Sequence, residues 1–324
     1  MGESSSDEES ILVTGGLGFI GAAYVEFLHD SNIDARIVIL DAHSYAADVM
    51  RLPERVRSSP RVTVAIANLR DWGHTLNLLQ KHAILDIVHF AAQSHVDTSF
   101  ATPLAFCEDN FCATTALLEC ARRHSLLRRF VHISTDEVYG DSAQEHETAP
   151  FLEDAPLNPS NPYAASKAAA EIMVRTYGRC FGLPVVITRG NNVYGPGQHV
   201  EKLIPAVLRR LSAGQPARVQ GDGKQQRCFL HVDDAARAVE KVRVQGQIQE
   251  VYNIASDEEH SVLQVVETAA SLICPEKPWQ DCVEFVSDRP YNDRRYLVDG
   301  GKLRSLGWEP TLKLAAGMAL LAET

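Results

Sequence analysis

Tyr163 and Lys167 lie four residues apart behind Asn161-Pro162, a spacing that could do proton chemistry. Asparagine suits a helix N-cap and proline the first helical position, where it lacks only an N–H that no helical carbonyl would accept. Both side chains then share one helical face. A lysine ammonium beside a phenol favours the phenolate and lowers its pKa, and a nicotinamide cation would add to that effect. Such a tyrosine is a usable base toward an alcohol proton. Tyr-x-x-x-Lys alone is common on surface helices, so its companions decide. One is a hydroxyl pair, Ser134-Thr135, which ends an apolar run 28 residues before the tyrosine.

The next two residues are both acids, Asp136 and Glu137. Adjacent carboxylates at a strand end are costly to bury and give a fold nothing obvious. Their bland reading is a solvated strand end. Their chemical reading is an acid and a base side by side, with protonation states separated by mutual repulsion. Elimination of water needs such a pair: one group removes a carbon-bound proton and the other protonates the departing hydroxyl.

A third constellation stands near the N-terminus, in Thr14-Gly15-Gly16-Leu17-Gly18-Phe19-Ile20-Gly21. Glycines at 16, 18 and 21 satisfy G-x-G-x-x-G, and those at 15, 18 and 21 a G-x-x-G-x-x-G variant. The pattern supplies a tight turn, close backbone approach to a pyrophosphate and a helix N-terminus aimed at it. Asp41 ends the next apolar run 20 residues after Gly21. A carboxylate there hydrogen-bonds a ribose 2′-hydroxyl and repels a 2′-phosphate, which favours NAD over NADP. The bland alternative is a tight turn followed by an acid by chance.

Regular elements must position these groups. Short β-branched runs at 11–13, 37–40, 62–66, 87–90, 130–133 and 185–188 alternate with helical patterns near 19–30, 71–82, 103–124 and 162–180. Continuous apolar strands separated by helices predict a parallel sheet covered on both faces. With the glycine loop, this is an α/β, Rossmann-type doubly wound sheet. Beyond 190 the rhythm breaks, with turn signals at Gly195-Pro196-Gly197 and Gly221-Asp222-Gly223 and helices near 201–212, 233–243 and 261–273. That predicts a smaller, partly interleaved C-terminal substrate domain over the carboxyl ends of the strands. The boundaries expected are an acidic, solvated tail at 1–9, a dinucleotide-binding domain at 10–188 and 228–256, and a substrate domain at 189–227 and 257–324.

Composition narrows the function class. The 324 residues carry 31 Lys plus Arg against 42 Asp plus Glu, a formal net charge of −11. No broad positive surface can be expected, which argues against a general nucleic-acid or anionic-membrane binder. Two or three local arginines would still suffice for an anionic small molecule. No run of 18 apolar residues exists, and the acidic start carries no secretory pattern. Seven scattered cysteines form neither a CxxC pair nor a zinc-like cluster, so reduced thiols, a cytoplasmic setting and no metal are expected.

The glycine loop, Thr135 and Tyr163-x-x-x-Lys167 together resemble the extended short-chain dehydrogenase/reductase superfamily. Within it, Thr135-Asp136-Glu137-Val138-Tyr139-Gly140 resembles the nucleotide-diphosphohexose 4,6-dehydratases; related decarboxylases carry serine at the position of Asp136, and epimerases lack the acidic pair. The segment from His89 to Phe100 is similar to the one that follows the fourth strand in these dehydratases. Thr188-Arg189-Gly190-Asn191-Asn192-Val193-Tyr194-Gly195-Pro196, with Glu201-Lys202-Leu203-Ile204-Pro205 and the stretch Asp288 to Tyr296, looks more like the UDP-glucose 4,6-dehydratase module of plant rhamnose synthases than the bacterial dTDP-glucose enzymes.

The resemblance implies a mechanism. Tyr163 takes the 4-hydroxyl proton, with Thr135 hydrogen-bonded to the same hydroxyl and Lys167 beside them. Glu137 then removes the C5 proton, and Asp136 protonates the departing C6 hydroxyl. The product is a 4-keto-6-deoxy sugar and NAD+ is regenerated, so the cofactor stays bound. The resemblance also assigns Gly15, Gly18, Phe19, Ile20, Gly21, Asp41, Asn68, Leu69, Phe90, Ala91 and Ala92 to NAD, alongside Tyr163 and Lys167. It assigns Ser94, His95, Asn192, Glu201, Lys202, Arg227 and Arg289 to a nucleotide sugar, UDP-glucose before dTDP-glucose. Arginine forks suit the diphosphate oxygens. A homodimer through helices 103–124 and 162–180 follows at the level of the superfamily. Downstream deoxysugar or rhamnose biosynthesis would be the setting.

There are departures. Ala67-Asn68 stands where Gly-Asp is usual, so an amide must meet the adenine amino group. Ala113 replaces a usual glycine and Cys228 a polar residue, and the sequence ends at Thr324, ahead of an expected aromatic helix. The alternatives are an epimerase or decarboxylase of the same fold, against which Asp136 argues, and a non-catalytic NAD- or nucleotide-sugar-binding protein, against which the intact Tyr163, Lys167 and acid pair argue.

Overall fold

A computed structural model describes residues 9–31, 34–142 and 149–323. The strands in chain order are β1 Glu9–Thr14, β2 Ala35–Asp41, β3 Val62–Ile66, β4 Asp86–His89, β5 Arg129–Thr135, β6 Val185–Gly190, β7 Asn192–Tyr194, β8 Ala217–Gln220, β9 Gln226–His231, β10 Val251–Ile254, β11 Glu259–Ser261 and β12 Val283–Val286. Seven of them form one sheet in the order β10-β6-β5-β4-β1-β2-β3. Every pair in it is parallel. The order reverses between β1 and β4, and such a switch point opens the crevice in which doubly wound sheets bind ligands. Of the acidic tail expected at 1–9, residues 1–8 lie outside the described residues, and Glu9 already opens β1.

The strands read as continuous apolar runs because both faces are covered. One core joins Ile11, Val13, Ile37 and Ile39 to the helices Phe19–Asp30 and Val232–Gln245. The other joins Leu12, Val38, Leu40 and Ile87 to the helices Trp72–Lys81, Ala113–Arg123 and Pro162–Phe181. Alternate residues of one strand point to opposite faces, so each strand feeds both cores.

The stretch expected as one helix over 103–124 is three joined pieces: Pro103–Phe106, a wider π-type stretch Cys107–Cys112, and Ala113–Arg123. The wide turn carries Asn110, whose side chain bonds Gln93 N–H and C=O and the Ser166 hydroxyl, at 2.7, 3.0 and 2.8 Å. Such bulges gather at functional sites. Helix Pro162–Phe181 starts as its cap residues predict, with Asn161 Oδ1 accepting from Ala164 N–H at 2.8 Å, and it ends at Gly182 in the left-handed region.

Past β6 the chain builds two small sheets, β11-β9-β7 and β12-β8, around a third apolar cluster that includes Tyr194, Ile204, Val219 and Val266. β9 straddles the two halves: Leu230 belongs to the first large core, whereas Phe229 belongs to this third cluster. Among the described residues no helix is long and apolar enough to cross a membrane.

Candidate active site

A cavity of about 1030 Å³ opens at the carboxyl ends of β1, β2, β4, β5 and β6. Every residue singled out for catalysis, cofactor or sugar from the sequence lines it.

On the cofactor side, Gly15 sits at φ +70, and a Cβ there would lie 2.6 Å from Ala91 N. A Cβ at Gly21 would collide with the Gly15 carbonyl. Gly18 caps helix Phe19–Asp30 with no side chain over the helix end and no acid in its first turn. First-turn helix N–H groups with no side-chain cap and no competing carboxylate suit a pyrophosphate. Asp41, at the end of β2, accepts Leu17 N–H at 3.0 Å and His43 N–H at 2.8 Å. Each oxygen keeps lone-pair capacity for a ribose hydroxyl. These features fit a dinucleotide. Asn68 is less free than expected, because its Oδ1 already accepts Arg70 N–H at 2.9 Å and Nε–H at 3.3 Å.

The reactive groups meet at the end of β5. Asp136 is only 2% exposed and Glu137 9%, which removes the solvated-strand-end reading. Burial pushes the Asp136 carboxyl up to about 7 and the Glu137 carboxyl above its ordinary value. The cause is therefore chiefly desolvation, with the Glu137 charge a smaller addition at Asp136, rather than mutual repulsion. Asn191 Nδ2 donates to Asp136 Oδ2 at 2.8 Å, and Asn161 Nδ2 to Glu137 Oε2 at 3.1 Å. The Thr135 hydroxyl donates to Asp136 Oδ1 at 3.2 Å.

Tyr163 and Lys167 are buried on the adjoining helix. The expected lowering of the phenol by the ammonium is not found. Burial raises Tyr163 well above its ordinary value, the Glu137 and Asp136 charges add to that, and a Thr135 hydrogen bond opposes it. Lys167 Nζ instead donates to Ile133 C=O at 2.6 Å. Burial brings the Lys167 ammonium down to about 8, with the Glu171 charge opposing.

On the opposite wall, Lys202 Nζ donates to Ser94 C=O at 2.9 Å, and His95 Nε2 lies 3.5 Å from Glu201 Oε2. Arg227 donates to Asp293 C=O at 2.9 Å and lies over the Tyr296 ring. Arg289 spans Asp97 at 3.3 Å and Gln220 Oε1 at 3.0 Å. Asn192 lines the cavity, and its buried Oδ1 has no hydrogen-bond partner among the described residues.

Sequence reading missed several residues. Asn191, beside the expected Asn192, and Asn161, expected only as a cap, each hold one of the two acids. Glu171, one turn beyond Lys167, holds Arg189 through Nε at 3.0 Å and Nη2 at 2.5 Å, both side chains fully buried. Arg51 also lines the cavity. The i, i+4, i+8 spacing of Tyr163, Lys167 and Glu171 could have flagged Glu171; nothing local marks Asn191 or Arg51.

A family model described as GDP-mannose 4,6 dehydratase matches residues 12–321. The chain belongs to that family. Within this dehydratase family it is 39% identical over 327 residues to the dTDP-glucose 4,6-dehydratase of Xanthomonas campestris, covering 96% of this chain and 92% of that protein. It is also 39% identical over 314 residues to a trifunctional UDP-glucose 4,6-dehydratase/UDP-4-keto-6-deoxy-D-glucose 3,5-epimerase/UDP-4-keto-L-rhamnose-reductase of Arabidopsis thaliana. That match covers 95% of this chain but 46% of the plant protein, so the chain spans about half the length of that relative. The crystal structure of a dTDP-glucose 4,6-dehydratase from Streptomyces venezuelae with NAD bound superposes with a TM-score of 0.90 and 38% identity, covering 97% of this chain and 96% of that one. The family is one of Rossmann-fold, extended short-chain dehydrogenase/reductase proteins, as the resemblance implied.

Proposed function

We propose that this family member binds NAD+ and is a nucleotide-diphosphoglucose 4,6-dehydratase acting on UDP-glucose, with dTDP-glucose next. The observation that carries the reading is the buried Asp136–Glu137 pair beside Thr135, Tyr163 and Lys167. Relatives named for both nucleotides support the substrate class, and the likeness of the 188–205 and 288–296 segments to the plant module favours uridine.

Gly15, Gly18, Gly21 and Asp41 would hold the dinucleotide, which when bound supplies the hydride acceptor for C4 and the donor for C6. Tyr163 is a phenol at rest because its pKa is raised, so it must first lose its own proton to solvent; as the phenolate, Tyr163 Oη then takes the 4-hydroxyl proton. A buried cation favours the phenolate, and Lys167, at about 8, keeps its proton at neutral pH. Thr135 Oγ1 orients the same hydroxyl. Oxidation acidifies the C5 proton, because the resulting carbanion delocalises into the 4-ketone. Glu137 removes that proton. Asp136, near 7, carries its own proton in about half the molecules at neutral pH and delivers it to the C6 oxygen. Arg227 and Arg289 are placed to meet the diphosphate.

The division into a cofactor half and a sugar half, and a homodimer, belong to the same proposal. Ala165, Ala169, Ile172 and Thr176 leave an outward stripe on helix Pro162–Phe181, and Leu104 is 78% exposed on the neighbouring one. Sedimentation of a monomer alone would remove the dimer.

The deciding test is incubation with UDP-glucose in deuterated water, followed by NMR and mass analysis. A 4-keto-6-deoxyglucose carrying deuterium at C5 is the expected product, and dTDP-glucose run in parallel ranks the nucleotides. Recovery of unchanged sugar from both, with NAD+ bound, would overturn the reading.

A further inference from the structure

Arg51 is a cavity-lining cation that the proposed chemistry does not use. It ends a short turn, Val49–Arg51, capped by Asp48, whose Oδ1 accepts Met50 N–H at 2.8 Å. Its guanidinium faces three backbone carbonyls. Nη1 donates to Leu17 C=O at 3.1 Å and to Ala46 C=O at 2.7 Å, while Nε donates to Gly197 C=O at 3.0 Å. Leu17 lies within the glycine loop, Ala46 in the segment after β2, and Gly197 in the segment after β7. One side chain therefore ties the glycine loop and the segment after β2 to the segment after β7 at the cavity wall. The fixed fork of an arginine suits this, whereas a lysine point charge could not hold three carbonyls in one geometry.

Nearby contacts run the same way. The Tyr45 hydroxyl donates to Glu201 Oε1 at 3.3 Å, and the Tyr45 ring meets His199 edge-on at 5.7 Å. His199 Nδ1 lies 3.5 Å from Glu201 Oε2. Leu17 is held at both ends, its N–H by Asp41 and its C=O by Arg51 and by Asp48 N–H at 3.0 Å. A dinucleotide lying against Asp41 and the glycine loop would have to pass this bridge to leave on that side.

We propose that Arg51, seconded by Tyr45, is a clasp that closes the cavity over the resident dinucleotide and slows its release. The inference rests on the NAD+ reading above. A reaction that returns its hydride within each turnover gains from a cofactor that does not leave, and a clasp raises the barrier to leaving without touching the reacting atoms. The bonds to Leu17 and Ala46 stay within the dinucleotide half. Opening on this side must break Arg51 to Gly197, Tyr45 to Glu201 and the Tyr45–His199 ring contact, so Arg51 acts as a positioning residue for the two segments.

The test measures NAD+ release from purified holoenzyme. Freed NAD+ is trapped by an excess of a second dehydrogenase with its own substrate, and the appearance of NADH is followed. Arg51→Ala is expected to release NAD+ roughly ten-fold faster or more, the scale of a lost charged hydrogen bond. Its turnover should come to depend on added NAD+, as wild-type turnover does not. Arg51→Lys should fall between, and Tyr45→Phe should show a smaller increase. Thermal melting of each variant with saturating NAD+ confirms folding, and if Arg51→Ala does not fold, Tyr45→Phe and Arg51→Lys carry the test. Release from all folded variants at the wild-type rate overturns the clasp. So does a loss of activity in Arg51→Ala with NAD+ still firmly bound. A wild-type protein that neither holds nor takes up NAD+ instead overturns the cofactor reading on which the clasp stands.

Discussion

Asn191 Nδ2 donates to Asp136 Oδ2 at 2.8 Å across 55 residues of chain, joining the segment after β6 to the acid that follows β5. An amide donor stabilises the carboxylate over the carboxylic acid, so it holds Asp136 below the value that burial alone would impose. The acid therefore titrates near neutrality instead of staying permanently protonated.

This relationship predicts a pH profile. If Asp136 must be protonated to deliver its proton, kcat falls as pH rises through about 7. Asn191→Leu removes the donor, raises the Asp136 pKa and moves the descending limb to higher pH by about one unit. A profile of kcat on UDP-glucose between acid and alkaline pH checks this; a limb that does not move would show that another group sets it.

Asp136→Asn should cost on the order of 10²–10⁴ in kcat while making the protein more stable. A carboxyl whose pKa is raised on folding destabilises the native state progressively as pH rises above the unfolded value, with the full penalty reached above the raised value and none left well below the unfolded one. The gain from Asp136→Asn should therefore be large at pH 8 and small at pH 4, where the wild-type carboxyl is protonated in native protein and about half protonated in unfolded chain. Urea unfolding at the two pH values measures it.

Glu171 and Arg189 form a fully buried ion pair behind Lys167, and Arg189 also lies over the Tyr139 ring at 4.5 Å. Removing one partner leaves an uncompensated buried charge. Glu171→Leu or Arg189→Met should each destabilise by about 3–5 kcal/mol, whereas the double replacement Glu171→Leu/Arg189→Met should cost much less than the sum. Urea melts of the four proteins give the coupling.

Gly15→Ala places a methyl where the backbone of Ala91 already lies and asks an L side chain to adopt φ +70. The strain is about 1–3 kcal/mol, and the methyl also enters the dinucleotide wall. The purified variant should carry little NAD+ and melt at lower temperature, which absorbance and calorimetry read together.

Much of this protein was legible in short stretches of chain. The glycine spacing, the Asn161-Pro162 start and the apolar runs are properties of a few consecutive residues. They specify a turn, a helix and a set of strands whatever lies elsewhere. The alternation of those elements then leaves few topologies open, because parallel strands need covered crossovers. Tyr163 and Lys167 share a face by helical geometry alone, and Asp136 and Glu137 are neighbours by sequence.

What tertiary structure alone decided is the electrostatics and the bridges. Whether adjacent acids are wet or dry depends on what packs over them, and burial moved both carboxyls upward. The same burial pushed Tyr163 up, against the lowering expected from its lysine, because desolvation acts on a buried phenol more strongly than a cation committed to Ile133 C=O. Asn191 with Asp136, Glu171 with Arg189, and Arg51 with Gly197, 146 residues apart, meet only where the chain returns to the same end of the sheet. A side chain's partner across such a separation is set by the path of the whole backbone, and no local spacing carries that information.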